Sequence, residues 1–265
     1  MTTMTIAAQN IAAEAKSWQR KTFAQRLEYI GVGVGYYHPA VFDVQESGGG
    51  VLYLPRLDTE LKRHGLRRAP RGGRWRHIYY NPDLVQLHSS GLMGLNTLRT
   101  KHAAWIDFTY RPTGDRFFNT SVHLSQGGEE KAQTRYREAE TLLRKTARLN
   151  TGKFPEIHGG DFNSHGKVGR VVFEPRHYVD ALEAADTTKH KGYNTYNGRS
   201  TITPRPSTQL MHGEHDDHFY VSAALKNLVA HWSQFPTVRA SDHNLIAVKV
   251  RLDRAEAKPE SRVWR

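Results

Sequence analysis

Residues 157–163 read Ile157-His158-Gly159-Gly160-Asp161-Phe162-Asn163 and follow the clearest amphipathic helix of the sequence, predicted over 129–149. An apolar start, two glycines and a polar end are typical of a buried segment that stops at a loop. A carboxylate and an amide at such an end are placed to meet a ligand. This segment therefore indicates an α/β arrangement and the position of a functional site.

Other apolar segments predict strands on both sides of this stretch, at 3–10, 41–46, 77–80, 84–87, 103–110, 117–124, 219–222 and 245–252. Further helices are predicted at 13–30 and 178–185. Residues 31–35 predict a helix end and turn, and residues 56–77 predict mostly loop after one helical turn at 59–64. No repeat or break in composition interrupts residues 1–253, which predicts one α/β domain followed by a charged tail at 254–265.

The composition favours a polyanionic partner. The chain has 38 lysine and arginine residues against 26 acidic ones, a formal net charge of +12. Such a surplus attracts nucleic acid by counterion release, although solubility alone is an alternative reason for it. Cysteine is absent, which excludes a disulfide framework and a thiolate zinc site. With no signal-like start and no long apolar run, we expect a cytoplasmic protein without membrane association, acting as a monomer.

Short polar motifs end several of the predicted strands. Hydrolysis of a phosphodiester needs a cation, a group that orients or deprotonates water, and donors for the developing oxyanion. Taken singly, each motif has a plain structural explanation, such as a turn or an exposed strand end. Their order along the chain is more informative. The motifs are Asn10, Asp43-Val44-Gln45-Glu46, Asn119-Thr120-Ser121-Val122-His123-Leu124, Gly160-Asp161-Phe162-Asn163, Asp217-His218-Phe219-Tyr220-Val221-Ser222 and Ser241-Asp242-His243.

In this order the motifs resemble those of the endonuclease/exonuclease/phosphatase superfamily, which includes deoxyribonuclease I and exonuclease III. The resemblance spans nearly the whole chain as separated motifs. Residues 160–163 match the family's G-D-F-N and residues 241–243 its S-D-H, while residues 119–124 resemble N-T-H-L with an insertion before the histidine. The implied fold is a deoxyribonuclease I-like four-layer α/β sandwich, with two packed mixed β-sheets flanked by helices.

The resemblance also implies a divalent-metal-dependent phosphodiesterase, an endonuclease or exonuclease, in which activated water attacks the phosphate without a covalent enzyme intermediate. Glu46, helped by Asn10, is the implied metal ligand, and Asp242 is a further candidate ligand. Asp161 is implied to orient or deprotonate water and Asn163 to donate to a phosphate oxygen, both from one side of an extended segment.

Two histidines complete the implied catalytic set. A carboxylate beside His243 would raise its pKa and favour the charged form that stabilises a phosphate. Adjacency does not say whether Asp242 touches that ring or the metal. His123 is implied to be a second donor, positioned by Asp217, and the identity of the general base stays open.

One Mg²⁺ or Mn²⁺ ion is expected. Some members of the superfamily carry a second metal-site glutamate between the glutamate and histidine motifs, and the corresponding residues 75–80 have none. Residues 212–218 are an alternative metal cluster, with three histidines and three carboxylates. A zinc site there is disfavoured, because the segment predicts a loop and lacks the helical H-E-x-x-H arrangement.

The substrate has to be inferred from the surface, because the superfamily shares one reaction centre across different phosphate esters. Arginines are predicted to line a groove for nucleic acid, DNA rather than RNA. The alternatives are a phosphatase acting on a small or lipid phosphate ester, and a nucleic-acid-binding protein without activity. The predicted substrate-binding residues are Arg68, Arg71, Arg74, Arg76 and Arg111.

Overall fold

The computed structural model describes residues 2–13, 22–48, 53–73, 75–98, 100–198, 203–205, 207, 209–237 and 239–252. Arg74 and the predicted tail at 254–265 lie outside the described residues. The strands are β1 Thr3–Asn10, β2 Val41–Gln45, β3 Arg67–Arg68, β4 Arg76–Tyr80, β5 Val85–Gly94, β6 His102–Tyr110, β7 Asp115–His123, β8 Glu156–Asp161, β9 Tyr178–Asp180, β10 Thr187–Lys189, β11 Asp217–Ser222, β12 Val229–Phe235 and β13 Leu245–Arg251. The α-helices are α1 Phe23–Tyr37, α2 Tyr53–Arg63, α3 Ala132–Leu149 and α4 Ala181–Ala184.

The strands form two mixed sheets. Seven strands take the order β10-β12-β13-β1-β2-β4-β3, and six take the order β5-β6-β7-β8-β11-β9. In the first sheet β1 and β2 are parallel neighbours, and in the second β7 and β8 are. Parallel neighbours end on the same side, so each sheet brings two carboxyl ends together at one edge.

Three apolar clusters hold four layers together. The two sheets face each other across a core that includes Ile6, Phe108, Phe219 and Trp232. Helices α1 and α2 cover the outer face of the seven-stranded sheet, and α3 covers the outer face of the six-stranded sheet. The predicted four-layer sandwich is therefore confirmed. Among the described residues, no helix has the length and apolarity needed to cross a membrane.

Helix α1 departs from its prediction. The helix begins after Thr22, whose hydroxyl accepts the Gln25 N–H, and it runs through Gly31 to Tyr37. The predicted end and turn at 31–35 are wrong. The predicted helix starts at residue 13, and residues 14–21 lie outside the described residues. A Cβ at Gly31 would lie 2.4 Å from the Glu60 Oε1 atom of α2. The glycine thus lies where α1 and α2 pack closely and leaves space for the Glu60 side chain, rather than ending the helix.

Two other segments also differ from expectation. Residues 56–77 contain most of α2, all of β3 and the start of β4, and are loop at 69–73; the helix is longer than the predicted single turn because Leu57 and Leu61 recur at helical spacing and are buried. The predicted helix at 178–185 is a short strand followed by the four-residue α4, which Asp180 caps through the Leu182 N–H. The segment at 56–77 is rich in charged residues, which hid its buried positions.

Polar pairs between the sheets align the strands that carry the site. Asn119 Nδ2 donates to Asp43 Oδ1 over 2.7 Å, and Gln45 Nε2 donates to Ser121 Oγ over 2.9 Å. Burial raises the pKa of Asp43 well above its ordinary range, which favours its neutral form. Because these bonds tie β2 to β7, they set Glu46 at the end of one strand against His123 at the end of the other.

Candidate active site

Three predicted site residues form a row across the six-stranded sheet. His123 of β7 lies opposite Asp161 of β8, and Asp161 lies opposite Asp217 of β11. Side chains at paired positions point to the same face of a sheet. Strand register alone therefore places an imidazole and two carboxylates side by side.

Gly160 makes this row possible. Its φ is +132°, and a Cβ on it would lie 2.2 Å from the Val122 carbonyl oxygen of β7. Any other residue would push β8 away from β7 and would strain the backbone. The glycine of the G-D-F-N motif therefore has a steric role.

The seven-stranded sheet supplies the second half of the site. Asn10 ends β1, and Glu46 follows β2 with a φ of +50°. Asn10 Nδ2 donates to Glu46 Oε1 over 3.1 Å and to Asp161 Oδ2 over 3.0 Å. Gln126 adds a donor to Glu46 over 3.2 Å. One amide thus joins carboxylates from both sheets at a common edge.

His243 pairs with Asp217. Its Nδ1 atom lies 2.8 Å from Asp217 Oδ2, and its Nε2 atom lies 3.7 Å from Asp161 Oδ2. Burial alone would lower the pKa of His243, but Asp217 and Asp161 raise it well above its ordinary range. The carboxylate that bonds the ring is therefore Asp217. The expectation that Asp217 positions His123 is wrong, because the chain turns the other histidine toward it.

His123 has the opposite electrostatic character. Burial lowers its pKa well below the ordinary range, and the nearby cations Arg76 and Lys101 lower it further. Its Nε2 atom has no hydrogen-bond partner among the described residues, although it lies 3.6 Å from Asp161 Oδ2 and 3.8 Å from Glu46 Oε1. A buried polar atom without a partner points to a ligand that is held there in function.

Asp161 is the most central carboxylate. Burial raises its pKa to about 7, against the opposing effect of His243. Its Oδ1 atom accepts the Asn163 N–H over 2.8 Å, and Asn163 has a φ of +48°. The predicted extended geometry of residues 161–163 is wrong, because this local hydrogen bond turns the chain. Asn163 Nδ2 donates to the Leu124 carbonyl over 3.2 Å.

The donor set fits a divalent cation. Glu46 and Asp161 supply hard oxygen atoms beside the Asn10 amide, and the Glu46 side chain is 30% exposed, which leaves room for water. Asp161, Asp217 and His243 also offer atoms within 4.8 Å of one another, a spacing that can hold an ion. The hydrogen bond between His243 Nδ1 and Asp217 Oδ2 joins two members of this group, whereas the half-buried Glu46 carboxylate leaves room for a hydrated divalent cation.

Asp242 lies beside this set. Its Oδ1 atom accepts from Ser241 Oγ over 3.2 Å, and its charge attracts the buried guanidinium of Arg26. Arg26 donates to the carbonyls of Ile11 and Ala240 and so joins the loop after Asn10 to the loop before Asp242. The sequence did not indicate that Arg26 joins these loops, because an arginine in a predicted helix is usually exposed.

Of the predicted substrate-binding arginines that the structure describes, Arg68, Arg76 and Arg111 lie apart from one another. Arg68 pairs with Asp58 over 3.1 Å, at the end of β4 remote from Glu46. Arg76 is buried and donates to the His123 carbonyl, so it supports the site from behind. Arg111 lies at the end of β7 opposite to His123. Charge density along the sequence carries no information on strand direction, so it could not show that these arginines are apart. Arg71 is exposed in the turn before β4, and substrate binding by Arg68, Arg71, Arg76 and Arg111 stays a prediction.

The loop before β11 contributes residues that the motifs did not reveal. Thr195 Oγ1 accepts the backbone N–H groups of Asp216 and Asp217. Tyr196, which is 47% exposed, places its ring 4.9 Å from the His243 ring. The loop therefore holds one catalytic candidate in position and sets an open aromatic surface beside another.

His218 is a buried brace: it forms hydrogen bonds to three segments that flank the candidate site. Its Nδ1 atom lies 2.7 Å from Asp180 Oδ2, and its Nε2 atom lies 2.7 Å from the His215 carbonyl and 3.2 Å from the Ser164 carbonyl. All three partners only accept hydrogen bonds, so both ring nitrogens carry protons. Burial opposes this charge, but Asp180 raises the pKa of His218 to about 9. The imidazolium ties together the segments that follow Asn163 and precede Asp217.

This brace predicts a pH dependence of folding stability. The pKa of His218 rises from 6.5 to about 9 on folding, so its contribution is full below pH 6.5 and is lost as the pH passes 9. The shift corresponds to about 3 kcal/mol of unfolding free energy. Urea titrations give the unfolding free energy of the wild type and of His218→Gln at each pH. The difference between the two proteins should shrink by about this amount as the pH rises from 6.5 to 9. His88→Gln, an exposed control, should keep the wild-type profile; parallel curves for His218→Gln would contradict the charged brace.

Comparison with known proteins agrees with this architecture. No protein-family profile matches the sequence, and no curated protein matches it. Solved structures do match. An endonuclease/exonuclease/phosphatase family protein from Bacteroides thetaiotaomicron superposes with a TM-score of 0.74 at 22% identity, covering 96% of this chain and 99% of that one. A mannosyl-6-phosphatase from the same organism gives 0.73 at 21%, covering 94% and 100%.

The third comparison is with TDP2 from D. rerio in complex with a single-strand DNA product. It gives a TM-score of 0.68 at 16% identity and covers 95% of this chain and 100% of that chain. The predicted resemblance is thus confirmed for the fold: this chain has the fold of the endonuclease/exonuclease/phosphatase proteins.

Proposed function

We propose that this chain, built on the endonuclease/exonuclease/phosphatase fold, is a divalent-metal-dependent phosphodiesterase that hydrolyses nucleic acid. The observation that carries the proposal is the convergence of Asn10, Glu46, His123, Asp161 and His243 at one edge of the sandwich. These residues come from five separate parts of the sequence. A fold that needed them only for packing would not bring buried polar groups together in this way.

Glu46, beside Asn10, would hold one Mg²⁺ or Mn²⁺ ion, which when bound neutralises phosphate charge. Asp242 stays a candidate for an additional ligand. Asp161 orients the attacking water and accepts its proton, because its oxygen faces the space shared with both histidines. As the water oxygen bonds to phosphorus, the bond from phosphorus to the leaving oxygen breaks.

The two histidines share the remaining work. His243, charged through Asp217, stabilises the negative charge that develops on the phosphate oxygens. His123 offers its unpartnered Nε2 atom to another phosphate oxygen. Asn163 would add a further donor after its amide leaves the Leu124 carbonyl. Together these groups surround one phosphate with donors of fixed position.

Nucleic acid is the substrate class that the surface supports best. The formal charge of +12 favours a polyanion. The half-exposed Tyr196 ring beside His243 presents an aromatic face on which a base can stack. The structural match to TDP2 with its DNA product is consistent with this choice.

A small phosphate ester is the second candidate. The match to a mannosyl-6-phosphatase has a TM-score of 0.73, higher than the 0.68 of the DNA complex. Tyr196 would suit a sugar ring as well as a base. For such a substrate the net charge of the protein has no role in recognition, so the rate should depend little on salt.

The test is a substrate panel of single-stranded DNA, RNA, plasmid, abasic-site duplex and mannose 6-phosphate, each with Mg²⁺, Mn²⁺ or chelator. We expect metal-dependent cleavage of nucleic acid, with kcat/KM falling steeply as salt rises, because several phosphates must be bound. Hydrolysis of the sugar phosphate should be slower and nearly independent of salt. Activity that survives the chelator would reject the metal role, and faster turnover of mannose 6-phosphate would reject nucleic acid as the substrate.

A further inference from the structure

Helix α3 borders a basic groove that the reaction centre does not use. The groove has a volume of about 460 Å³ and lies between the first half of α3 and the loop that joins β5 to β6. Its walls include Leu95 and Asn96 on the loop side and Arg137, Arg144 and Lys145 on the helix side. A groove of this volume accepts a small molecule or one nucleotide strand.

The cations along α3 lack an ion-pair partner among the described residues, although Arg144 donates to the Thr141 hydroxyl; Arg148 lines the adjoining cavity together with Lys145. No ion pair involves Arg137, Arg144, Lys145 or Arg148 among the described residues, and the three arginines are exposed. Residues 137, 144 and 148 lie on one side of the helix by their spacing. Glu140 is the exposed acid of this surface, and it pairs with Arg176. Unpaired cations in a row repel one another, which a bound polyanion would relieve.

The row begins near the reaction centre. Lys101, at the end of the β5–β6 loop, donates from Nζ to the Leu124 carbonyl over 3.4 Å, and Asn163 donates to the same carbonyl. Lys101 also lies close enough to Glu46 and Asp161 for their charges to act on it. Leu95, which lines the groove, donates its backbone N–H to the Lys101 carbonyl over 2.7 Å, so the groove wall adjoins the lysine that senses these two carboxylates.

The length of the row identifies the kind of ligand. Arg137 and Arg148 are eleven residues apart, which is about 16 Å along a helix. A sugar phosphate held at Asp161 cannot reach this distance, whereas a polymer can. Leu98, which is 82% exposed in the same loop, adds an apolar surface that fits the face of a base.

We infer that the groove along α3 binds the phosphate backbone of single-stranded nucleic acid on one side of the scissile bond. The inference rests on the proposed function, because a strand bound in this groove would continue into the candidate active site. It concerns binding, however, and can be tested without catalysis. Lys101 connects the catalytic phosphate to the row, and Arg137, Arg144 and Arg148 bind the phosphates that follow.

The experiment compares the wild type with the triple variant Arg137→Gln, Arg144→Gln, Arg148→Gln. Affinity for fluorescent oligothymidylate and oligouridylate is measured by anisotropy in chelator over a range of salt. Each phosphate contact on a single strand contributes about 0.7 to the slope of log affinity against log salt, so the variant should lose about 2 from this slope. A matched control, Lys62→Gln, Lys226→Gln, Lys249→Gln, removes three exposed cations from other surfaces and should keep the wild-type slope.

Unfolding temperatures of both triple variants establish that the fold is retained. An unchanged slope in the α3 variant, or an equal loss in the control, would overturn the groove assignment. Binding of duplex but not of either single strand would overturn it too. Absence of hydrolysis with every ester would instead refute the proposed function. Binding measured in chelator would still decide whether the groove binds single-stranded nucleic acid. Oligonucleotide binding that differs between DNA and RNA would name the preferred strand within the same assignment.

Discussion

Asp161→Asn should lower kcat/KM for a phosphodiester by at least about a thousandfold. The substitution keeps the size of the side chain and removes its charge and its basicity. Asp161 Oδ2 lies 3.0 Å from Asn10 Nδ2, 3.6 Å from His123 Nε2 and 3.7 Å from His243 Nε2, so it faces every other part of the site. An amide there can neither accept a proton from water nor attract the cation. Initial rates at saturating Mg²⁺ measure the effect.

The variant should retain the fold. The Asn oxygen can still accept the Asn163 N–H that Asp161 Oδ1 accepts, and the local cost is the hydrogen bond that Asn10 Nδ2 donates to Asp161 Oδ2. Burial raises the pKa of Asp161 to about 7, so the fold disfavours its charge, and an uncharged side chain should not lower the unfolding free energy at pH 8 in metal-free buffer. Asp107→Asn, which makes the same change at the partner of Arg116, is the matched control and should stay active. More than a tenth of wild-type activity in Asp161→Asn would contradict its central role.

The success of the sequence-based fold prediction depended on β1 and β8, whose apolar residues end on polar groups at the edge of a sheet. Asn10, Glu46 and Asp161 could be placed together because the motifs that contain them resemble those of a known superfamily, and the structure shows that each lies at or just after the end of a strand. Arg68 and Arg111 could not be placed, because β4 and β7 run in directions that depend on distant pairing. Local sequence contains no record of that pairing.

The predicted end of helix α1 and the predicted pairing of Asp217 with His123 differ from the structure for a related reason. Gly31 resembled a helix end, yet its neighbour Glu60 is twenty-nine positions away in sequence, and only packing reveals the contact. Asp217 was assigned to His123 because both belong to motifs of the same resemblance, but register puts Asp161 between them. Sequence motifs thus supplied the candidate residues, and three-dimensional register decided which of them touch.

The pairing of Asp217 with His243 leads to the second large effect. His243→Ala should lower kcat by at least about a thousandfold, since it removes the charged donor from the phosphate. Asp217→Asn leaves the ring in place but takes away the carboxylate that raises the pKa of His243, so we expect a smaller loss of about a hundredfold. In the second variant the charged form of His243 should be lost at a lower pH. The alkaline limb of the kcat profile should move in that direction.

The double variant separates a positioning residue from an independent one. If Asp217 acts only through His243, then Asp217→Asn combined with His243→Ala should be no slower than His243→Ala alone, because the imidazole on which Asp217 acts is already absent. If the two losses multiply, Asp217 has its own contact with metal or substrate, as its distance of under 4.8 Å from Asp161 would permit. His88→Ala, on the exposed face of β5, controls for the loss of a histidine elsewhere. The rate of the double variant thus decides whether the bond of 2.8 Å between Asp217 and His243 serves the histidine or the cation.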